Sequence, residues 1–322
     1  MKNITGFGEI LFRNLVVDKM LLSQTNNIIQ TVGGAELNTI VGMSNLGHKC
    51  SFMSIISDDH LSEKIKTYLA SNFVSTANIK QMPGRIGAYY LEEGIGQRPS
   101  RVTYDRSYSS FSLNTLTDEE IKESLIDKDC IHICGITLAV SAQSRDTLFR
   151  VLKFAKELGV LISFDFNYRS KLWTIEEAKP FYLEVMEYVD VLFASQYDAV
   201  NFLDTKSIPD LFGKFDIQAV FHTTRTTLST TRNGLVAHGY TRSESYSSEY
   251  NEFDILDRIG GGDAFVSGIL HNYLDKKDLQ YTVNFGLSSS ILKHTIFGDA
   301  NILKEDVIIS HMNSKGNMVV NR

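Results

Sequence analysis

From residue 130 onward, apolar runs alternate with helical segments at a nearly constant spacing, and that alternation limits the fold more than any other feature. The runs 130–136 (CIHICGI), 160–167 (VLISFDFN), 189–195 (VDVLFAS) and 215–223 (FDIQAVFHT) have the length and apolar content of buried strands. Segments 144–158, 176–188 and 196–204 read as the helices that alternate with them, the first stopped by Gly159. The N-terminal part starts in the same manner. Residues 3–12 read as a first buried strand, 35–46 as a helix after the Gly33–Gly34 turn, 50–57 as a strand and 61–73 as a helix. Two further helices, 263–275 and 278–293, follow a glycine run. Buried strands joined by crossover helices make a mostly parallel sheet covered on both faces. The expected class is α/β, and the 322 residues allow one large domain with at most a small appendage.

Two stretches depart from this rhythm. Residues 15–32 mix polar and apolar residues without a helical period and read as strands and turns outside the main core. Residues 85–112 alternate and are rich in Tyr, Arg and Gly, as in a hairpin with one polar face. A face carrying Tyr89, Tyr104 and Arg106 suits a polar, anionic small molecule; the plainer alternative is a solvated hairpin.

The stretch 254–268, DILDRIGGGDAFVSG, concentrates the chemistry. Three glycines ahead of a helix leave backbone N–H groups free to point into one small space, and the helix N-terminus adds partial positive charge there. Such a site suits phosphate oxygens. Asp263 follows directly, placed to take a proton from an attacking hydroxyl. Taken alone, GGGD also fits a turn whose Asp263 is an N-cap. Ligands of parallel α/β sheets bind beyond the C-terminal strand ends, and Gly135, Asn167, Ser195 and the glycine run all fall at such ends.

Composition removes several classes. A net charge of −6 with scattered basic residues argues against nucleic acid. No apolar run approaches a membrane span, and MKNITGFGEILF lacks the features of a signal peptide. Cys50, Cys130 and Cys134 form no even framework, so a reduced, cytoplasmic setting is expected, with Cys130 and Cys134 as core thiols. His48 and His132 lie among apolar residues and read as core histidines. No G-x-G-x-x-G follows the first strand and no G-x-x-x-x-G-K-[ST] occurs, which removes a nicotinamide site and a P-loop.

Together, GGAELN (33–38) and DRIGGGDAF (257–265) resemble the two signatures of the ribokinase-like (PfkB) family of sugar kinases, in the right order and separation. The resemblance spans nearly the whole chain. VTYDRSYSS (102–110), FDFNYRSKLW (164–173) and LKHTIFGDANIL (292–303) are most similar to the 2-keto-3-deoxygluconate kinase branch. The resemblance implies a three-layer ribokinase-like sandwich with a small β-lid formed by 15–32 and 85–112. An exposed lid sheet often pairs with a twin, so a homodimer through that lid is an expectation, while composition leaves no nucleic-acid or membrane partner to expect. The resemblance also implies phosphorylation of 2-keto-3-deoxygluconate to its 6-phosphate by ATP with Mg²⁺, with a monovalent cation as a further option. Asp263 would be the base and Gly260, Gly261 and Gly262 the anion hole. Gly34 and Asn38 would meet sugar hydroxyls, and Tyr89, Tyr104, Arg106 and Arg169 would surround the sugar acid. Arg106 and Arg169 are expected to be buried, and a neutral sugar would leave those two buried cations unpaired. On the nucleotide side the resemblance puts Ser195, Thr224, Arg225, Ser229 and Asn284, with Asp198 toward the metal. The chain also departs from the family. Gly261 replaces the usual alanine, an exchange expected to be harmless. Arg258 replaces the usual proline, Ser195 and Asp198 stand for the usual N-x-x-E, and 223–230 (TTRTTLST) has no glycine. A fructokinase-like hexose or nucleoside kinase, or a non-catalytic sugar sensor on the same fold, are the competing readings.

Overall fold

In the computed structural model, which describes residues 1–314, strand Asn3–Phe7 runs parallel to both its neighbours, Lys49–Ser57 and Cys130–Cys134. The parallel series continues outward through Leu161–Asp165, Val191–Phe193 and Ala219–Thr227. Strands Arg232–Thr241, Ser245–Ser247 and Asn251–Asp254 add an antiparallel edge, completing an eleven-stranded sheet with Val74–Ser75 and Ile79–Met82 at the other end. The period of two sends successive side chains to opposite faces. Ile4 and Phe52 join the core on one face, with Leu37, Ile40 and Phe265; Phe7 and Met53 join the core on the other, with Leu148, Leu152 and Tyr182. Helices cover both faces, giving three layers.

Several helices begin where their side chains supply the missing acceptors. Thr117 with Glu120, Thr174 with Glu177 and Ser195 with Asp198 form reciprocal caps at the starts of Asp118–Leu125, Ile175–Val185 and Gln196–Phe202. The helix Ala142–Glu157 ends where Gly159 takes a left-handed φ of 70°.

The expected single strand over 3–12 is in fact two. Asn3–Phe7 belongs to the large sheet and Leu11–Val16 to a separate four-stranded sheet with Ile28–Gly33, Gly87–Glu92 and Arg101–Asp105. The chain changes sheets at Gly8, where a Cβ would stand 2.4 Å from the Glu36 carboxylate. This second sheet has its own small core of Leu11, Leu15, Tyr89 and Leu91. It starts earlier than residue 15 and stops before 112: Ser110–Leu113 is already helical and packs Phe111 against Phe7. The histidine and cysteine readings hold. His48 Nε2 lies 2.8 Å from His271 Nδ1, His132 Nδ1 lies 3.0 Å from Ser163 Oγ, and all three cysteines are buried and free.

Candidate active site

Two helix N-termini meet over a cavity of about 420 Å³ between the large sheet and the second sheet. Helix Gly261–Leu274 is entered through Gly260, a position that only glycine can fill: its φ is 82° and a Cβ would stand 1.6 Å from the Asp299 carbonyl oxygen. Helix Ala35–Asn45 is entered through Gly34, where a Cβ would stand 2.5 Å from the Glu9 carbonyl oxygen. Gly262 has open space on its Cβ side, toward the cavity that it helps to line. Backbone N–H groups can therefore approach an anion closely at this turn.

The two helices pack together, and Asn38 Nδ2 donates to Asp263 Oδ2 at 2.7 Å. This bond fixes the carboxylate at the cavity wall. Burial raises the Asp263 pKa to about 7, opposed by the Asn38 bond and by Arg169. A carboxylate with a pKa near neutrality is ionised at working pH yet basic enough to accept a proton. Asp165, at the end of the neighbouring strand Leu161–Asp165, is pushed to about 8 by burial and then by Asp263. Glu36 is also raised by burial, but Cys134 Sγ and Thr137 Oγ1 donate to it at 3.0 and 2.6 Å.

The cations differ from expectation. Arg106 is not a free guanidinium: its Nε and Nη2 both engage the buried Glu9 carboxylate, which also accepts from Ser109. Arg169 is exposed rather than buried, lines the cavity, and among the described residues its guanidinium donates to the Tyr168 carbonyl alone. Tyr104 lines the cavity too. Tyr89 does so with its hydroxyl on Asp299 Oδ2 at 2.5 Å.

Below the glycine turn lies a charge network that the sequence did not announce. Arg13 Nη1 bridges Asp257 at 2.7 Å and Asp299 at 2.6 Å, all three buried. Asp257 also accepts from the Ile259 and Gly298 amides. Lys293 is buried beside Gly260. This network holds the 257–260 and 298–299 segments against each other. The signal for it was present only as an acidic residue in each of two quoted stretches.

On the nucleotide side the expected residues separate. Ser195 and Asp198 line a smaller cleft that shares Asp165 and Gly262 with the main cavity. Arg225 reaches the main cavity. Thr224, one residue earlier, points to the other face of its strand, where its hydroxyl meets His238 Nε2 at 3.0 Å. Ser229 caps its own turn on Thr231, and Asn284 bonds the Tyr246 hydroxyl. None of these last three lines either cleft. Gly261 is not interchangeable with alanine here either, because a Cβ would stand 2.2 Å from His294 Cε1.

A glycine-lined anion site beside a tuned carboxylate, on a three-layer α/β sandwich flanked by a small sheet, defines a phosphotransferase acting on a small hydroxylated substrate. The comparisons agree. Residues 1–304 match the pfkB family of carbohydrate kinases, and the chain belongs to that family. It is 30% identical over 95% of both chains to a 2-dehydro-3-deoxygalactonokinase from Haloferax volcanii. The structure of a PfkB carbohydrate kinase from Listeria grayi superposes with a TM-score of 0.94 at 33% identity, over 97% of this chain and 99% of that one. A 2-dehydro-3-deoxygluconokinase from Thermotoga maritima superposes at 0.93 with 32% identity over the same shares.

Proposed function

We propose that this protein transfers the γ-phosphoryl group of ATP to a hydroxyl of a keto-deoxy sugar acid, 2-keto-3-deoxygluconate first, giving the 6-phosphate. The observation that carries the reading is the shared cavity, in which the Asn38–Asp263 pair, the Gly260–Gly262 turn and the uncommitted Arg169 face one another. Relatives named for keto-deoxy sugar acids support the acid over a neutral sugar.

Asp263 takes the proton of the attacking sugar hydroxyl while the hydroxyl oxygen forms the new bond to the γ-phosphorus. The bond to the β–γ bridging oxygen breaks and ADP leaves. The glycine amides stabilise charge on the transferring oxygens. Arg169 pairs with the substrate carboxylate, and Tyr89, Tyr104 and Gly34 shape the sugar side. Asn38 positions the base. Arg106, fixed by Glu9, keeps Nη1 for the substrate. The second sheet acts as the lid over 11–33 and 87–105, excluding water from the transfer.

Kinases of this family use ATP with Mg²⁺. The donors here fit that ion. Asp165 and Asp198 face one cleft at Gly262, close enough for Asp198 to raise the Asp165 pKa. Mg²⁺ is commonly held by one or two carboxylates plus phosphate oxygens and water, and it neutralises phosphate charge. Buried Arg13 and Lys293 lie against the buried carboxylates of Asp257 and Asp299 beside the glycine turn. The exposed Ile28 and Ile29 on the lid support pairing of two lids in a homodimer. The three free thiols fit a reducing cytoplasm.

The test is a coupled assay of ATP turnover across sugar acids and neutral sugars. Preference for 2-keto-3-deoxygluconate or its galacto epimer is expected. Preference for fructose would put a hexose kinase in its place.

A further inference from the structure

Three arginines that line the cavity, Arg169, Arg225 and Arg258, form no ion pair among the described residues, and the reading above gives Arg169 to the substrate carboxylate. The arginines that do form ion pairs have clear partners: Arg13, Arg85, Arg106, Arg150, Arg232 and Arg242 each lie within 3.2 Å of an acidic oxygen. Arg225 and Arg258 form no ion pair among the described residues, yet both line the cavity that contains the glycine turn. They come from different directions. Arg225 projects from strand Ala219–Thr227, whereas Arg258 lies two residues before Gly260. Its position is rigidly set, because the preceding Asp257 is anchored on Arg13, the Ile259 amide and the Gly298 amide. Arg258 Nη2 donates to the Thr230 carbonyl at 2.9 Å, which steers the side chain toward the hairpin carrying Arg225. One of five donors is used; the rest of the fork remains available.

Like charges brought together without a counter-ion are unfavourable, and here each is felt by its surroundings. Burial and then Arg225 lower the Arg258 pKa, and both arginines help to depress that of His294. A polyphosphate relieves this repulsion, and the planar guanidinium fork matches its oxygens. Resting on the kinase reading above, we propose that Arg258 and Arg225 form a two-guanidinium clamp on the terminal phosphates of the donor nucleotide, facing the Gly260–Gly262 amides across the transferring group. Arg258 is then a phosphate-positioning residue in a place where a proline cannot serve. The clamp also explains how the hairpin 223–230 does without a glycine turn: side-chain guanidinium replaces backbone amides there.

The clamp predicts a split between donor and acceptor. Arg258→Met should lower kcat/KM for ATP by about ten- to a hundredfold while leaving KM for the sugar acid within about twofold. Arg258→Lys, which keeps charge but loses the fork, should recover part of that loss. Arg225→Met, at an exposed strand position, should reproduce the ATP effect with an unchanged melting temperature. Calorimetric titration, without turnover, supplies the decisive readout. Both Met variants should lose affinity for ATP and keep it for AMP, which has no terminal phosphates. Equal loss of ATP and AMP binding, or ATP binding unchanged in both variants, overturns the clamp. The titration stands even if no sugar acid is phosphorylated, so failure of the substrate assignment is seen separately in the turnover panel.

Discussion

The imidazole ring of His294 occupies the place where a methyl group at residue 261 would stand, with Cε1 2.2 Å from that position. The ring is held there by a 2.7 Å contact from Nδ1 to the Ser290 carbonyl and by packing on Phe253. The middle glycine of this anion turn is therefore not idle variation. It accommodates a histidine that other side chains fix.

The first prediction follows from that contact. Gly261→Ala overpacks the turn and should destabilise by about 1–3 kcal/mol. It should also reduce turnover at least tenfold, because the amides move relative to the phosphate. Gly261→Ala with His294→Ala should be less damaging than the sum of the two single changes. A double-mutant cycle on melting temperature and kcat measures this coupling; strict additivity would refute it.

The second concerns Asp263. Asp263→Asn keeps the shape but cannot accept the proton, so kcat should fall by ~10²–10⁴ with ATP binding retained. In the wild type, kcat/KM should rise with pH through about 7 as Asp263 ionises. The hydrogen bond from Asn38 holds this pKa down, so Asn38→Ala should move the limb to higher pH. A limb that stays in place in Asn38→Ala would separate Asn38 from the base.

Much of this arrangement was legible in the sequence because it is local. The strand–helix alternation, the Gly34 and Gly260 turns and Asp263 each declare themselves within a few residues. What stayed hidden depends on pairs far apart in the chain. Arg13 meets Asp299 across 286 positions, and Arg106 meets Glu9 across 97. No spacing rule joins such residues, so Arg106 reads as free until its partner is seen. The same holds for Gly8, where the chain changes sheets and where Glu36 on a later helix leaves no room for a Cβ. Thr224 and Arg225 were read together as neighbours, and the strand pleat then sends them to opposite faces.

The third prediction joins charge to stability. The folded-state pKa of Asp165 is raised to about 8, so the folded protein binds a proton there more tightly than the unfolded chain. The associated stability is complete below the unfolded value, near 4, and is lost as pH rises through about 8. Asp165→Asn removes the titration. Its melting temperature should match or exceed the wild type at pH 8, with the difference shrinking toward pH 5. A difference that grows toward acid pH contradicts the sign. If Asp165 helps to hold Mg²⁺, the same variant should need more Mg²⁺ for half-maximal rate.

The last prediction separates two arginines that look equivalent in sequence. Among the described residues the Arg169 guanidinium has the Tyr168 carbonyl as its one partner and no ion pair, so its charge is available to a substrate carboxylate. A charge-assisted contact of this kind contributes roughly 1.5–3 kcal/mol, so Arg169→Ala should reduce kcat/KM for 2-keto-3-deoxygluconate by about ten- to a hundredfold. Fructose has no carboxylate, and its residual rate should change little. Arg106→Ala should behave differently. It strips the buried Glu9 of its counter-charge, and breaking a buried pair costs roughly 3–5 kcal/mol. That variant should melt at a lower temperature and lose activity toward both sugars alike. Pairing it with Glu9→Gln should recover much of the stability, since no unpaired buried charge remains. The measurements are melting temperature and kcat/KM on both sugars for all three variants. Equal loss of both sugars in Arg169→Ala, with unchanged stability, would mean that Arg169 serves the phosphoryl donor and that the acid is recognised by the remaining Nη1 of Arg106.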